Sequence, residues 1–316
     1  LLGEATVLVA RDEEREGALV GACACTWMPV HVNGAVVRLP YLAGLRLAPA
    51  YRHRAHLIRE GFRALDEAAG FGSAPFAFTS LARDNQQARR LLEAGLAGFP
   101  HYAPLAELET FVLPASGQPT GRMEPACPSD VPELVGLINE RRSASQLSPH
   151  LSEEWLAGGP RNLRVDDFLV RREGGGLQAC VALWDQRAFK QARIHGYRPP
   201  LNLLRGPWNL VSSLRRGITL PAPGTCLEAC FLAFANWRDE SPEAAASDIT
   251  EALAWANERG IRAGMLGLPA GSPLGACLQR GRAPWIYGTC IEAVRWPEAP
   301  KVTLEPWPIH PEIALL

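Results

Sequence analysis

The stretch from Leu45 to Leu57, which reads LRLAPAYRHRAHL, decides the fold. Its first residues alternate between apolar and other side chains as strand residues do, and Pro49 ends the strand because proline has no N–H for a ladder hydrogen bond. From Arg54 onward the apolar residues follow a helical period, which predicts a helix that ends at Gly70. The chain therefore presents the start of a helix at the end of a strand.

This helix start is suited to bind phosphate. The first N–H groups of a helix have no partner within the helix, and the helix dipole makes that end positive. Arg52 and Arg54 add two full positive charges at the same point. A basic helix start that only faces solvent is the alternative interpretation of these residues.

The same stretch resembles the acyl-CoA loop of the GNAT family of acetyltransferases, hydrophobic-x-hydrophobic-x-Pro-x-x-(Arg or Gln)-x-x-Gly-x-(Gly or Ala). Arg52 occupies the Arg or Gln position, whereas Ala55 replaces the first Gly and Leu57 stands where Gly or Ala is usual. A leucine side chain adds bulk where backbone must approach pyrophosphate closely. The resemblance implies that acetyl-CoA binds here as a cosubstrate. The residues that it assigns to the cofactor are Leu45, Leu47, Arg52, His53, Arg54, Ala55, His56 and Leu57.

A second segment supports the resemblance. Asn85, Ala88, Leu91 and Gly95 have the spacing of the family pattern Asn-x-x-Ala-x-x-(apolar)-Tyr-x-x-Gly-Phe, with Leu96 in place of Phe. The resemblance implies that these residues form the helix after the fifth family strand, and it adds Asn85 to the cofactor-binding residues. Two matches in the right order and at the right separation favour a GNAT-like architecture for this region.

Length and element order predict two domains. A chain of 316 residues is long for one domain, and a Pro/Gly-rich linker covers residues 114–121. The second part repeats the strand and helix order of the first. The predicted fold class is α+β, with two consecutive GNAT-like domains, each a mixed, mostly antiparallel twisted sheet flanked by helices. The predicted limits are 1–115 and 122–298, followed by a C-terminal tail at 299–316.

The two predicted domains differ from the complete family pattern in two ways. The first lacks the strand and two helices that usually precede its opening hairpin, so we expect N-terminal elements to be missing from it. The second carries the acidic run 239–243 where the first has Arg52 to Arg54, and carboxylates there would repel phosphate. We therefore expect the second domain to be a copy that does not bind the cofactor. Its last residues, 285–296, predict a final strand pair.

Acetyl transfer requires a deprotonated amine, a polarised thioester carbonyl and a proton donor for the leaving thiolate. Family members often use a tyrosine as donor, but Leu92 occupies that position here and Leu278 occupies it in the second domain. Tyr102 is the candidate donor, with an aromatic that merely covers the helix end as the alternative. His101 and Tyr41 are weaker candidates. The strand that leads into the basic turn has no carboxylate that suggests a general base. A water chain, or a residue from the missing N-terminal elements, would have to accept the proton of the amine.

A polar strand continuation, residues 184–187 with Lys190, Gln191 and Tyr197, is a candidate acceptor groove between the domains. A solvated hairpin end is the alternative. The overall interpretation is an acetyl-CoA-dependent N-acetyltransferase that acts on an unidentified small amine. The alternative is a catalytically degenerate CoA-binding or protein-interaction module.

Composition limits the other classes of partner. A formal net charge of −1 gives no support for nucleic-acid binding, and no apolar run is long enough to cross a membrane. The eight cysteines lack the paired spacing of a zinc site, so no metal is expected, and reduced thiols are typical of a cytoplasmic protein. The sequence does not decide whether the protein forms a homodimer.

Overall fold

The computed structural model of the protein describes residues 5–71, 74–197, 199–214, 219–238, 241–281 and 284–316. The described residues form one mixed sheet with helices on both faces. In chain order the strands β1 to β11 are Ala5–Asp12, Ala18–Val32, Ala35–Leu47, Ala77–Ala82, His101–Pro114, Glu124–Pro125, Phe168–Glu173, Gly176–Trp184, Ala229–Trp237, Ala263–Pro269 and Trp285–Arg295. The helices α1 to α7 are Ala55–Ala69, Gln86–Leu92, Val131–Arg142, Glu153–Ala157, Pro199–Leu214, Pro242–Glu258 and Pro273–Gly281.

The two halves of the chain exchange their last strands. The strand order is β1-β2-β3-β4-β11-β5-β10-β9-β8-β7-β6, so β11 from the second half lies between β4 and β5 of the first half. In the same way β5 lies between β11 and β10 of the second half. All neighbours are antiparallel except two pairs, β3 with β4 and β9 with β10, which occupy corresponding places in the two halves.

The predicted helix after the basic turn is present as α1. Its inward stripe buries Ile58, Phe62 and Leu65 against the sheet, as the helical period indicated. The helix ends at Gly70, which adopts a left-handed φ of 65° and whose N–H donates to the Asp66 carbonyl at 2.8 Å. Glycine suits this position because it has no Cβ to clash in the left-handed region. Helix α1 therefore starts at the end of β3 and packs on one sheet face.

Each sheet face has its own core. On one face, α1 and α2 cover the first half around Phe62 and Leu92, and α6 and α7 cover the second half around Leu253 and Leu278. On the other face, one continuous cluster spans both halves and includes α3 and α4. This second face therefore joins the halves into one hydrophobic unit.

The mixed α/β class is confirmed, and one local expectation is wrong. Residues 285–296 form the single strand β11 rather than a strand pair. The C-terminal tail is packed: Ile313, Ala314 and Leu315 are buried in the cluster shared by both halves. The limits 1–115, 122–298 and 299–316 stay a prediction. None of the described helices is long and apolar enough to cross a membrane.

Candidate active site

The parallel strands β3 and β4 diverge near the middle of the sheet. They pair only at Tyr41 with Phe78 and at Leu42 with Thr79. Beyond these pairs, residues 43–47 and 80–82 separate and line a common cavity of about 690 Å³ below α1 and α2. We call it the α1 cavity. In this gap, backbone N–H and C=O groups lack the ladder partners that they would have in a fully paired sheet.

A bulge in β3 lies in this gap. Ala22 of β2 pairs with Arg46 and Ala24 pairs with Ala43, so Gly44 and Leu45 both face Cys23 and have no register partner in β2 or β4. Gly44 has a left-handed φ of 66°. A bulge of this kind re-aims backbone N–H groups away from the ladder. The backbone at Gly44 and Leu45 is therefore available to a polar group in the α1 cavity.

The start of α1 closes one end of the cavity and is positively charged. It has no side-chain cap and no acidic residue in its first turn. Arg52 lines the cavity, and its Nε donates to the Leu47 carbonyl at 3.3 Å. The Arg54 guanidinium lies over the Tyr51 ring, 4.8 Å from its centroid. An anion at this point of the cavity would meet helix N–H groups and the Arg52 guanidinium.

The structure brings most of the predicted cofactor residues together, and it leaves some of them outside. The predicted residues that line the α1 cavity are Leu45, Leu47, Arg52, Leu57 and Asn85. The predicted residues that lie outside its lining are His53, Arg54, Ala55 and His56. Asn85 also caps α2, because its Oδ1 accepts from the Ala88 N–H at 3.2 Å.

Tyr102 lies inside the α1 cavity, on β5. Its side chain is 7% exposed, and its ring centroid is 6.2 Å from that of Phe62. No described residue hydrogen-bonds its hydroxyl. Burial raises the pKa of Tyr102 strongly, so the hydroxyl keeps its proton at neutral pH. Leu92, at the position where the family usually has tyrosine, is buried beside it in the same lining.

The weaker candidates lie elsewhere. The Tyr41 hydroxyl is 2.7 Å from Ser80 Oγ, and burial raises the pKa of Tyr41 to about 12. His101 is exposed and lies outside the lining of the α1 cavity. Tyr102 is therefore the predicted donor that the α1 cavity contains.

A second cavity of about 300 Å³ lies on the opposite sheet face. We call it the sheet cavity. Gln186, Arg187, Lys190 and Gln191 of the predicted acceptor groove line it, whereas Trp184 is in the core and Tyr197 donates to the Pro221 carbonyl. Ser80 of β4 lines both cavities.

The corresponding gap of the second half is filled by the chain itself. Phe234 of β9 is the counterpart of Gly44: it lies in the matching bulge, opposite Val181, with a left-handed φ of 51°. Its N–H donates to Glu312 Oε2 at 2.8 Å. Ile313 packs so tightly on Gly267 of β10 that a Cβ there would lie 2.3 Å from it. The C-terminal segment therefore occupies the place that is open in the first half.

The start of α6 also differs from that of α1. The Ser241 hydroxyl caps it by accepting from the Ala244 N–H at 3.1 Å, and Glu243 adds negative charge to the first turn. Residues 239 and 240 of the predicted acidic run lie outside the described residues. A capped, acidic helix start is a poor site for phosphate.

The structure also places a carboxyl group that the sequence did not single out. Glu292 of β11 is fully buried beside Thr79 of β4, and neither carboxyl oxygen has a hydrogen-bond partner among the described residues. Burial raises its pKa, as does the nearby Glu93, whereas Arg89 opposes the shift. Its strand comes from the second half, so no local pattern places it near β4.

No three His, Cys, Asp or Glu side chains of the described residues converge as a metal site would require. Besides backbone groups, the polar side chains that line the α1 cavity are Cys23, Arg46, Arg52, Glu60, Thr79, Ser80, Asn85 and Tyr102. This arrangement can hold a phosphorylated ligand at the helix start and present a carbonyl oxygen to the bulge.

Comparison with solved structures identifies the fold. The chain is similar to a GCN5-related N-acetyltransferase from Sphaerobacter thermophilus, with a TM-score of 0.57, 13% identity, and coverage of 95% of this chain and 82% of that one. It is also similar to the N-myristoyltransferase of Saccharomyces cerevisiae with bound myristoyl-CoA, with a TM-score of 0.52, 12% identity, and coverage of 90% and 68%. No family model and no curated protein matches the sequence. The GNAT fold indicated by the sequence is confirmed.

Proposed function

We propose that the protein is an acetyl-CoA-dependent N-acetyltransferase that acts on a small amine. One observation carries the proposal: the first half keeps the diverging strands, the bulge at Gly44 and the uncapped basic helix start open around one cavity. The second half has the same strands, but its gap is filled. The structural neighbours, an N-acetyltransferase and an N-myristoyltransferase, support acyl-CoA as the donor.

Each part of the α1 cavity has a role in this proposal. The α1 start and Arg52 bind the phosphates, and the bulge at Gly44 presents N–H groups to the thioester carbonyl. The amine enters from the sheet cavity and attacks the carbonyl carbon. A C–N bond forms and the C–S bond breaks. The amine passes one proton to solvent water, the leaving thiolate gains one, and water returns a proton to the group that donated it. Tyr102 supplies the proton to the thiolate.

Calorimetric titration with acetyl-CoA tests the binding half of the proposal. We expect one site per chain, weakened by added salt because the phosphate contacts are charged. Arg52→Glu combined with Arg54→Glu should lower the affinity by about tenfold or more, since each lost charged hydrogen bond contributes about 1.5–3 kcal/mol. Arg38→Glu combined with Lys301→Glu changes two exposed cations elsewhere and serves as the control.

Two results would contradict this assignment: two equivalent sites per chain, or binding that survives the Arg52 and Arg54 reversals. Release of free thiol from acetyl-CoA in the presence of amines then separates an enzyme from a CoA-binding module. Competition between acetyl-CoA and myristoyl-CoA fixes the acyl chain, because one structural neighbour holds the longer donor.

A further inference from the structure

Helix α5, Pro199–Leu214, has no counterpart in the first half of the chain. It lies in the connection between β8 and β9, which correspond to β2 and β3 of the first half. Strands β2 and β3 are joined by Asn33 and Gly34 alone. The fold common to both halves therefore forms without such a helix, and an insertion of this kind can carry a function of its own.

One face of α5 is apolar and exposed to solvent. Its members are Leu203, Leu204, Leu210 and Val211, of which Leu203 and Leu210 are 81% and 67% exposed. With 3.6 residues per turn, these four side chains lie within about 120° of the helix circumference and form one continuous stripe. We call it the α5 stripe, and the exposed Trp208 borders it. A cluster of large apolar side chains in water marks an interaction surface.

The polar side of α5 faces the rest of the protein. Ser212 is buried, and the side chain of Asn209 exchanges two hydrogen bonds with the Leu220 backbone, at 2.7 and 3.0 Å. These contacts fix the rotation of the helix about its axis. A half turn that buried the α5 stripe would break both hydrogen bonds and leave their polar groups without these partners. The fold therefore holds the α5 stripe in an exposed position.

The segment that contains α5 is positively charged. Between residues 186 and 227 the sequence has no Asp or Glu. Among the described residues of this segment, Lys190 and Arg193 are exposed and Arg205 is half-buried. Positive charge beside an apolar surface attracts a partner whose surface is negatively charged.

The size and the charge of this surface argue against a second copy of the chain as the partner. A helix of 16 residues is about 24 Å long and about 10 Å wide, so one face covers about 240 Å². A stable protein dimer buries about 800 Å² on each partner. A two-fold axis at the α5 stripe would also bring two segments of the same positive charge together.

We propose that the α5 stripe docks the protein on the surface of an anionic lipid bilayer. The apolar side chains enter the boundary between headgroups and acyl chains, and the cations of the segment attract the lipid phosphates. Leucine and tryptophan on one helix face with cations nearby are typical of helices that lie in this boundary. The proposal is independent of the proposed function, because no residue of the α5 stripe lines the α1 cavity or the sheet cavity.

Flotation of the full chain with lipid vesicles tests the proposal. The probes are vesicles of phosphatidylcholine alone and vesicles that also contain phosphatidylglycerol. We expect flotation with the anionic vesicles, weaker flotation with the neutral ones, and a loss of binding on addition of salt. Leu203→Glu combined with Leu210→Glu should lower binding by about tenfold or more, because two carboxylates would enter the lipid boundary. Leu203→Gln combined with Leu210→Gln removes apolar surface without adding charge and should also weaken binding.

The matched control is Val7→Glu combined with Leu19→Glu. It makes the same change of charge at two exposed apolar residues elsewhere, 63% and 58% exposed, and should leave flotation unchanged. Denaturant unfolding shows whether each variant remains folded.

Three flotation results would overturn the proposal. They are no flotation of the unaltered protein, equal binding to neutral vesicles, and binding that persists in the folded Leu203 and Leu210 variants. Light scattering provides a further test. A dimer that dissociates in these variants would also overturn the proposal, since it would assign the α5 stripe to a second copy of the chain.

Discussion

At the residue scale, Tyr102 is the residue in the lining of the α1 cavity that we propose as the proton donor. It is buried, protonated at neutral pH and without a hydrogen-bond partner among the described residues. A structural aromatic would also be buried, so burial alone does not establish the role. The hydroxyl is the part of the side chain that catalysis would use.

Tyr102→Phe removes only that hydroxyl. We expect kcat for acetyl transfer to fall by about 10²–10⁴-fold, the usual contribution of general acid catalysis, with little change in acetyl-CoA affinity. Single-turnover kinetics and calorimetry measure the two quantities separately. A change confined to KM would mean that Tyr102 contacts the substrate and donates no proton. Tyr41→Phe is a matched control, because the Tyr41 hydroxyl already bonds to Ser80.

Glu292 should make stability depend on pH. Burial and Glu93 raise its pKa in the folded state, so the folded protein binds more protons than the unfolded chain above the ordinary glutamate pKa. The free energy of unfolding therefore falls as pH rises from that value through the folded pKa, and the full penalty is present above it.

Glu292→Met replaces this carboxyl by an apolar side chain of similar length. At pH 8 we expect the free energy of unfolding to rise by about 1–3 kcal/mol, and at pH 5 to rise less, since a larger fraction of the Glu292 carboxyl is protonated at the lower pH. Denaturant unfolding at both pH values measures the effect. Glu292→Gln should reduce the pH dependence with a smaller gain. Destabilisation of equal size at both pH values would show that the carboxyl has an unrecognised partner.

At the element scale, the C-terminal segment occupies the gap between β9 and β10 in the second half. Glu312 accepts from the Phe234 N–H and pairs with Arg142 at 2.8 Å, with both side chains about 5% exposed. Two buried charges compensate each other here. Removal of one leaves the other buried and unpaired.

Glu312→Ala should lower the free energy of unfolding by about 3–5 kcal/mol, as expected when one member of a buried ion pair is removed. Denaturant unfolding of the full chain measures this change. Glu312→Met combined with Arg142→Met removes both charges and should recover most of the loss. A loss below about 1 kcal/mol in Glu312→Ala would mean that the pair is solvated in solution.

At the scale of the whole molecule, strand exchange makes each half depend on the other. Without β11, strands β4 and β5 of the first half would have no partner between them, and unpaired apolar edges promote aggregation. The hydrophobic cluster common to both halves adds to this dependence.

Residues 1–115 produced alone should therefore aggregate, and coexpression with residues 122–316 should give a soluble complex. Size-exclusion chromatography and circular dichroism of both preparations measure the outcome. A soluble fragment 1–115 with a cooperative unfolding transition would show that the predicted first domain folds without β11. The two halves joined by their native linker are the control.

The local elements and the basic turn could be predicted from the order of residues. The apolar period after Arg54 and the glycine at position 70 indicated the limits of α1, because helix period and helix ends depend on neighbouring residues. The Arg52 position and Asn85 followed from motif spacing, and both line the α1 cavity. Tyr102 is predicted as the donor because Leu92 replaces the usual tyrosine, and its role stays a prediction.

The neighbours of each strand and the gap that stays open depend on long-range contacts. Three features join residues that are far apart in sequence. Strand β11 lies between β4 and β5, and its Glu292 is buried beside Thr79. Glu312 and Ile313 insert into the second half. Such contacts form only when whole strands pair. The repeated order of elements does not determine whether the last strand of each half pairs within its own half or with the other half. For this physical reason the sequence indicated the GNAT fold, whereas only the folded chain showed why one half is open and the other closed.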